Sequence, residues 1–177
     1  MKFLLLFFFL ILIGCKSSMV KSYDKNKLVK IVEFKRSTNF IFTEEYCEMN
    51  FRKDSSNIFK NYFTPELKDV EYINNNLAKQ YLEIFTKGIK AEKFYEPFIN
   101  DVKKEAKQSV NFDKQFFGYV NNNDEKIILI QQFNFEYDPY NFKTKLDQDF
   151  INCFLGWCSV SVRRIKFNVE KSTFSIH

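Results

Sequence analysis

The chain has 177 residues, a length that suits one folded domain with a single core, burying roughly 70% of the surface that the unfolded chain exposes. It carries 27 Lys and Arg against 22 Asp and Glu, and the two signs are interspersed along the sequence. Nucleic-acid-binding proteins concentrate their basic residues in patches, so we expect no nucleic-acid partner. Because 23 Phe stand against only 4 Gly and 3 Pro, the composition also argues against extensive disorder.

The chain opens with the pattern of an export signal. Lys2 precedes an unbroken apolar run from Phe3 to Ile13, which is shorter than the roughly 20 residues of a membrane-spanning helix. The segment ends in Leu12-Ile13-Gly14-Cys15, which resembles the lipobox of bacterial lipoproteins. The resemblance implies cleavage before Cys15, a diacylglycerol thioether on its sulfur, and an acylated N-terminus carrying a fatty acid such as palmitate. A plain secretory signal or an uncleaved anchor is the alternative.

The segment after Cys15 is polar, lysine-rich and without periodicity, which predicts a signal peptide over 1–14, a lipid-anchored tether over 15–27 and a single folded domain over 28–177. Two or three acyl chains give a stable anchor, since each buried methylene contributes about 0.8 kcal/mol. Lys16 follows the cysteine, and the sorting logic of lipoproteins then implies the outer membrane, with the domain facing the periplasm. We expect the partners to be the membrane, through the lipid, and an envelope protein or glycan.

Strands are predicted at both ends of the domain. Apolar residues partly alternate over 28–43, which predicts a hairpin. Residues 115–135 predict a second hairpin, because the turn 121–124 within them is made of Asn and Asp, which tolerate positive φ. A strand over 159–169 is expected to pair with residues 173–176.

Two helices are predicted between these strands. The Thr-Pro-Glu sequence at 64–66 supplies a capping side chain, a proline for the first helical position and an acid for the first turn. The apolar residues that follow recur at every third or fourth position, as far as Gly88. A second helix is expected near Pro97, and its inward residues are expected to be Phe98, Val102 and Ala106. The order of elements predicts an α+β fold, with an antiparallel sheet and two main helices inserted between the N- and C-terminal strands.

Two further motifs fall on these predicted elements. Tyr62-Phe63-Thr64-Pro65-Glu66 leads into the first helix, and Gly118-Tyr119-Val120-Asn121 lies in the second hairpin. Together they resemble an uncharacterised group of small exported bacterial proteins, which share a Tyr-Phe-Thr-Pro helix start and a Gly-Tyr-Ile-Asn hairpin. The likeness spans residues 62–130 and implies no activity. The chain departs from it at Asn123-Asp124, where a turn glycine is expected.

The remaining cysteines predict a disulfide. With Cys15 acylated, Cys47, Cys153 and Cys158 remain in an oxidising compartment, where one disulfide leaves one thiol free. The preferred pair is Cys153 with Cys158, which closes a short loop. Cys47 with either of them is the alternative, and the sequence does not choose between these pairings. Redox-active pairs are more typically separated by two residues than by four, so we expect no catalytic thiol chemistry.

The residue types that form common catalytic sites are scarce. The only histidine is His177, so a serine or cysteine nucleophile lacks a well-placed base, and no zinc-site spacing or glycine-rich phosphate loop occurs. Glu44 with Glu45 and Asp147 with Asp149 are the carboxylate pairs considered for acid–base chemistry or calcium binding. Adjacent glutamates on a strand point to opposite faces, and Asp-x-Asp is common in solvated loops. We expect no enzyme activity, no metal and no cofactor.

The long connection over 136–157 is the candidate binding region. Long ordered loops are often functional, and this one carries the candidate ligand-binding residues Tyr137, Tyr140 and Trp157, whose flat rings offer contact area at little entropic cost. Packing of the loop is the plainer interpretation. The sequence therefore predicts a lipid-anchored envelope protein that acts by binding or by structural contact. The alternatives are a ligand- or polysaccharide-binding module, a periplasmic inhibitor or immunity protein, and a carboxylate-based hydrolase.

Overall fold

The computed structural model describes residues 21–51, 59–87, 96–136, 138–151 and 161–177. Some predictions fall outside these ranges, and they stay predictions: the signal peptide over 1–14, the lipid attachment at Cys15, the pair Cys153 and Cys158, and the aromatic residues Tyr137 and Trp157. Gly88, the predicted end of the first helix, also lies outside them.

The described part of the chain places its helices, with one short strand among them, between N-terminal and C-terminal strands. The strands are β1 Lys21–Asp24, β2 Val29–Glu33, β3 Thr38–Phe42, β4 Asn61–Phe63, β5 Asp113–Val120, β6 Lys126–Phe133, β7 Val162–Asn168 and β8 Thr173–Ile176. The helices are α1 Glu44–Asn50, α2 Leu67–Thr86 and α3 Glu96–Gln108. Short 3₁₀ turns cover Ser109–Asn111 and Phe142–Lys145.

The strands form one open sheet in the order β1-β2-β3-β5-β6-β7-β8, with β4 also paired to β5. Every pairing is antiparallel except that of β3 with β5. The parallel pair arises because α1, β4, α2 and α3 form the long connection from β3 to β5, and parallel neighbours require such a crossover. The predicted α+β class, with helices between N- and C-terminal strands, is confirmed, and the sheet is mostly rather than wholly antiparallel.

The predicted hairpins are confirmed. β2 pairs with β3, β5 with β6 and β7 with β8, each antiparallel. In the turn between β5 and β6, Asp124 has a φ of 63°, the left-handed conformation that the Asn- and Asp-rich sequence predicts. Alternating residues along these strands therefore face opposite sides of the sheet, and each side has its own covering elements.

α2 and α3 cover one face of the sheet, called here the helix face. The predicted apolar stripe of α2 is confirmed, since its buried residues are Val70, Ile73, Leu77, Tyr81 and Ile84. They form one core with Val102 of α3 and with strand residues that include Phe116, Ile128 and Ile165. This core holds both long helices against the central strands.

α2 begins later than the sequence predicts. Glu66, rather than Thr64, is the residue before the first helical turn, and Leu67 occupies the position expected for Pro65. Thr64 serves a different helix, because its Oγ1 accepts a hydrogen bond of 3.0 Å from the Glu44 N–H at the start of α1. Thr64 is therefore a capping residue, but it caps α1, which is distant in sequence, rather than α2.

α3 contacts the core with its second half. Val102 is buried and Ala106 is partly buried, as expected. The expectation for Phe98 is wrong, since its side chain is 44% exposed and lies outside the core cluster. The first turn of α3 does not reach this core.

Two short elements occupy stretches for which the sequence predicts no regular structure. β1 lies within the predicted tether and pairs with β2, so the described part of the sheet already includes Lys21–Asp24, ahead of the expected start near Leu28. α1 begins after Thr43, whose Oγ1 accepts a hydrogen bond of 3.3 Å from the Tyr46 N–H. Elements this short depend on pairing and packing more than on local propensity.

α1 and the loop 138–151 lie on the opposite face of the sheet, called here the loop face. Tyr46 and Cys47 of α1 are buried with strand residues such as Phe117 in an aromatic-rich core. The Tyr46 hydroxyl accepts a hydrogen bond of 2.8 Å from the Phe150 N–H, which joins the helix to the loop. These contacts fix the described part of the long connection on the sheet.

Gly118 lies where β4 approaches β5. A Cβ atom at this position would lie 2.6 Å from the carbonyl oxygen of Phe63 and 2.7 Å from its ring. Contacts this short are not tolerated, so the close approach of β4 requires glycine. The position of β4 in turn places the segment before α2 beside the end of β5.

Candidate functional site

A row of polar side chains crosses the helix face. The register places Asn39 beside Lys114, Lys114 beside Gln132, and Gln132 beside Arg163. These residues are called here the polar row. Asn39, Lys114 and Gln132 are almost wholly buried, and neither amide atom of Asn39 has a hydrogen-bond partner among the described residues. Buried polar groups are costly, so their contacts decide whether they serve the fold or a ligand.

Lys114 fastens the end of α3 to the sheet. Its Nζ donates to the carbonyl oxygens of Ser109, at 3.1 Å, and Phe112, at 2.9 Å, in and just after the 3₁₀ turn that follows α3. Burial lowers the pKa of Lys114 to about 7, and the neighbouring Asp113 opposes this shift. A cation at the C-terminal end of a helix also interacts favourably with the helix dipole. These contacts give Lys114 a structural role.

Arg163 and Gln132 connect the sheet to both long helices. The Nη2 of Arg163 lies 3.1 Å from Glu105 Oε1 on α3, and its guanidinium lies 5.9 Å from the centroid of the Phe85 ring on α2. Gln132 Nε2 donates to the Tyr81 hydroxyl over 3.5 Å. Lys114, Gln132 and Arg163 of the polar row therefore serve helix docking, whereas Asn39 makes no such contact.

On the loop face, two buried glutamine side chains hold the loop 138–151 to the sheet. Gln115 Nε2 donates to the carbonyl oxygens of Leu146, at 2.8 Å, and Asp149, at 2.7 Å, while its Oε1 accepts from the Ile151 N–H at 3.0 Å. Gln131 Nε2 donates to the Ile151 carbonyl at 2.9 Å. The loop is held to the sheet by buried polar groups, which leaves these groups satisfied within the chain.

A groove of about 400 Å³ lies at the other ends of β5 and β6, and it is called here the turn groove. Tyr119 and Ile127 contribute to it from these strands. The turn between them contributes Asn121, Asn122, Asn123 and Glu125, and the β7–β8 hairpin contributes Lys166, Asn168, Lys171, Thr173 and Ser175. Most of the lining residues thus carry an amide, a hydroxyl or a charged group.

The turn that borders the groove is held by its own side chains. Asn121 Oδ1 accepts hydrogen bonds from the N–H groups of Asn123, at 2.9 Å, and Glu125, at 3.0 Å, and its Nδ2 donates to Glu125 Oε2 at 2.9 Å. Lys60 Nζ lies 2.8 Å from Asp124 Oδ1 on the outer side of the turn. The groove therefore has one wall that is organised before any ligand arrives.

Glu125 connects this turn to the β7–β8 turn. It forms an ion pair with Lys171, and hydrogen bonds from Lys171 and Asn121 hold the pKa of the Glu125 carboxyl below its ordinary value. The Glu170 carboxylate accepts from the Lys126 N–H at 3.2 and 3.3 Å. Both hairpin turns are thereby fixed relative to each other.

Tyr119 forms the aromatic part of the groove. Its ring lies 4.4 Å, centroid to centroid, from that of Phe59, and burial raises the pKa of its hydroxyl to about 12. The hydroxyl therefore stays protonated at neutral pH and can donate as well as accept. Lys166, in register with Leu129 and Ser175, supplies a cation from β7.

The described residues of the predicted aromatic surface mostly serve packing. Phe142 and Phe150 pack against the loop-face cores, and Tyr140, which is 57% exposed, has its ring centroid 5.4 Å from that of Phe142. Tyr140 therefore stays a candidate, and the structure does not bring it into the turn groove.

The predicted carboxylate pairs do not form a site in the described residues. Glu44 and Glu45 lie in the first turn of α1, so the argument that treats them as neighbours on a strand does not apply. Asp147 forms an ion pair with Lys25. Within the described ranges, no cluster of three or more potential metal ligands occurs.

Cys47 is free and buried, and burial raises the pKa of its thiol to about 12. The alternative pairings of Cys47 with Cys153 or Cys158 are therefore wrong in this structure. The core position explains this, because Cys47 faces Phe117 and its neighbours on the loop face. The pair Cys153 with Cys158 stays a prediction.

The sequence predicts the elements that border the turn groove, but it does not predict the groove itself. The Asn-rich turn and both strands of the β7–β8 hairpin are predicted, but the register that sets Ile127 beside Asn168, and Asn168 beside Thr173, is not. A strand alternation that places polar residues outward on β7 and β8 is the signal that a search for surface grooves would use.

Comparison of the chain with family models, curated proteins and solved structures found no match in any of the three. The resemblances to lipoproteins and to the small exported proteins remain hypotheses. Among the helices that the structure describes, none has the length and apolar character needed to cross a membrane.

Proposed function

We propose that this chain is a lipid-anchored protein of the bacterial cell envelope whose domain binds a glycan in the turn groove. The single observation that carries the binding proposal is the lining of the groove, where amides and hydroxyls surround a cavity of about 400 Å³. Sugar hydroxyls both donate and accept hydrogen bonds, and so do the side chains of Asn122, Thr173 and Ser175 taken together.

The predicted anchor and the sheet topology together support presentation of the groove away from the membrane. A chain extends at most about 3.4 Å per residue, so β1 begins within roughly 20 Å of Cys15. Neighbouring strands lie about 4.8 Å apart, and six steps across the sheet separate β1 from β8, a distance of roughly 30 Å. A site at the β8 edge is suited to a polymer of the envelope rather than to the lipid surface.

Binding is better supported than hydrolysis. Glycoside hydrolysis uses two carboxyl groups that flank the reacting bond. Among the described residues that line the groove, Glu125 is the only carboxylate, and Lys171 and Asn121 keep it ionised. An ionised, hydrogen-bonded carboxylate is a poor general acid.

The lipid anchor is tested by the intact mass of the membrane-associated protein from cells that express the wild type or Cys15→Ala. We expect a mass that begins at Cys15 and includes acyl chains, and we expect the variant to lose both cleavage and acylation. An unmodified wild-type mass would overturn the lipoprotein part of the proposal and leave the groove untouched.

The groove is tested by calorimetric titration of the detergent-solubilised, full-length protein. The probes are soluble peptidoglycan fragments and delipidated lipopolysaccharide oligosaccharide. Asn122→Ala and Ser175→Ala should each weaken binding by about fivefold, the effect of one lost hydrogen bond, whereas Gln148→Ala on the loop should not. Binding that is equally strong in all variants, or absent for both probes, would overturn the proposal.

A further inference from the structure

We propose that the outer edge of β8 is a second binding site, beside the turn groove, which captures an extended acidic segment of a partner protein by β-strand addition. This inference does not depend on the lipid anchor or on glycan binding. It rests on the hydrogen-bonding edge that β8 presents, on the residues of β8 itself, and on the charges beside it.

The free edge of β8 follows from the register. β8 pairs with β7, and no other described strand pairs with it. The His177 N–H donates to the Arg164 carbonyl at 3.3 Å, so His177 and, by alternation, Ser175 direct their backbone groups toward β7. Phe174 and Ile176 then direct their N–H and C=O groups outward, where an added strand would bind them.

The two edges of the sheet differ in their protection. Native edge strands are commonly blunted by charged side chains. β1, at one edge, carries Lys21 and Asp24, whereas β8 has the sequence Thr-Phe-Ser-Ile and no charge. Ile176 is 53% exposed at this unprotected edge. β8 is therefore the edge that favours pairing with another chain.

The basic side chains beside β8 favour an acidic partner segment. Arg164 and Lys166 lie on β7 beside His177 and Ser175, on the loop face. Partial burial lowers the pKa of His177, and the nearby charges of Lys166 and Arg164 lower it further. The nearby carboxylate Glu125 is already paired with Lys171. Lys166 therefore places a positive charge beside β8, which favours acidic side chains on this face of an added strand.

The side chains of β8 on the helix face are apolar, so they favour apolar residues at every second position of the partner segment. Phe174 and Ile176 point to that side, and Phe174 packs with Phe167 at a ring-centroid distance of 4.9 Å. An added strand should therefore alternate apolar residues on the helix face with acidic residues on the loop face. A second copy of this chain fits less well, because β8 itself carries no acidic residue that could face Lys166.

The test uses fluorescence anisotropy with the detergent-solubilised, full-length protein. The probe is a labelled decapeptide of alternating valine and glutamate, and the comparison peptide has lysine in place of glutamate. We expect saturable binding of the acidic peptide, at least tenfold weaker binding of the basic one, and weakening by salt. Equal affinity for both peptides, or no binding of the acidic one, would overturn the proposal.

Matched variants separate edge pairing from adsorption. Ile176→Pro removes an outward N–H and leaves the bonds to β7, so it should weaken peptide binding at least tenfold, whereas Ile176→Val should keep it within about threefold. Lys166→Glu should reverse the preference between the two peptides. Thermal unfolding confirms that each variant is folded.

Two further results bear on the proposal directly. Unchanged binding in folded Ile176→Pro would overturn strand addition. A dimer in sedimentation velocity that Ile176→Pro abolishes, without any peptide binding, would overturn the assignment to a foreign partner and identify a second copy at the edge. Asn122→Ala should leave peptide binding unchanged, which distinguishes this site from the turn groove.

Discussion

The two ends of β5 and β6 carry similar polar residues in opposite circumstances. Where β5 begins, Lys114 and Gln115 are buried and donate to carbonyl groups of the chain's own turn and loop. Where β5 ends, Asn122 and Asn123 are exposed at a groove. Residue type alone does not separate the two sets. Burial and hydrogen-bond partners separate them. Lys114 and Gln115 are buried and bonded within the chain, so they serve the fold, whereas Asn122 and Asn123 are exposed and available to a ligand.

The largest effect should come from Gln115→Ala. Its side chain makes hydrogen bonds to Leu146, Asp149 and Ile151, so its loss leaves several buried backbone groups without partners. We expect the free energy of unfolding to fall by about 3 kcal/mol. Gln148→Ala, at an exposed position of the same loop, should change it by less than about 0.5 kcal/mol. Chemical denaturation measures the unfolding free energy of both variants. Equal losses would contradict the structural role assigned to Gln115.

A second effect, smaller per pH unit, is a pH dependence caused by Lys114. Its pKa is about 7 in the folded protein, whereas an unfolded lysine has a pKa near 10.4, so the unfolded state binds more protons between these values. The unfolding free energy should therefore rise with pH through this window, by up to about 1.4 kcal/mol per pH unit. Lys114→Met should remove this contribution. The unfolding free energy is measured by denaturation at pH 6, 8 and 9.5. If it changes with pH equally in the wild type and in Lys114→Met, the assignment is contradicted.

Ser172 lies at the groove end, in the β7–β8 turn, with a φ of 52°. Glycine adopts this conformation without the steric cost that a Cβ atom brings, so Ser172→Gly should raise the unfolding free energy by about 0.5 kcal/mol. Asp124→Gly relieves similar strain at a φ of 63° but loses the contact with Lys60, so it should gain less. A thermal unfolding series ranks the variants, and a loss in Ser172→Gly would refute this reasoning.

The smallest effect on stability is expected for Lys171→Ala. The ion pair of Lys171 with Glu125 joins two turns at the surface, where exposed pairs contribute little and salt screens them. We expect the unfolding midpoint to move only slightly, and less at 1 M salt than at low salt. A loss comparable to that of Gln115→Ala would show that the groove end is structural as well.

Elements with a strong local pattern could be predicted from the sequence. The stripe from Val70 to Ile84 and the turn at 121–124 both follow from short-range periodicity and turn chemistry. The cap of α1 at Thr43 was also present in the sequence, but the helix is too short to show a period. Thr64 was assigned to the wrong helix because its bond to Glu44 connects separate elements.

The turn groove could not be predicted, because it depends on strand register. Ile127, Asn168 and Thr173 become neighbours only when three strands align. Loop length and aromatic content point to Tyr137, Tyr140 and Trp157 as candidates, but Gln115 and Gln131 hold the described part of that loop to the sheet. Long-range hydrogen bonds of this kind leave no local trace in a sequence.

The parallel pairing of β3 with β5 has a consequence for synthesis of the protein. The Thr38 N–H donates to Asp113 Oδ1 at 2.8 Å across 75 residues of sequence, so β3 emerges long before the strand that completes it. Until β5 appears, one side of β3 has no backbone partner, and contacts of such long sequence separation form slowly. An emerging chain therefore presents an unprotected strand that is open to self-association. We therefore expect its yield to fall when β3 stays unpaired for longer during synthesis.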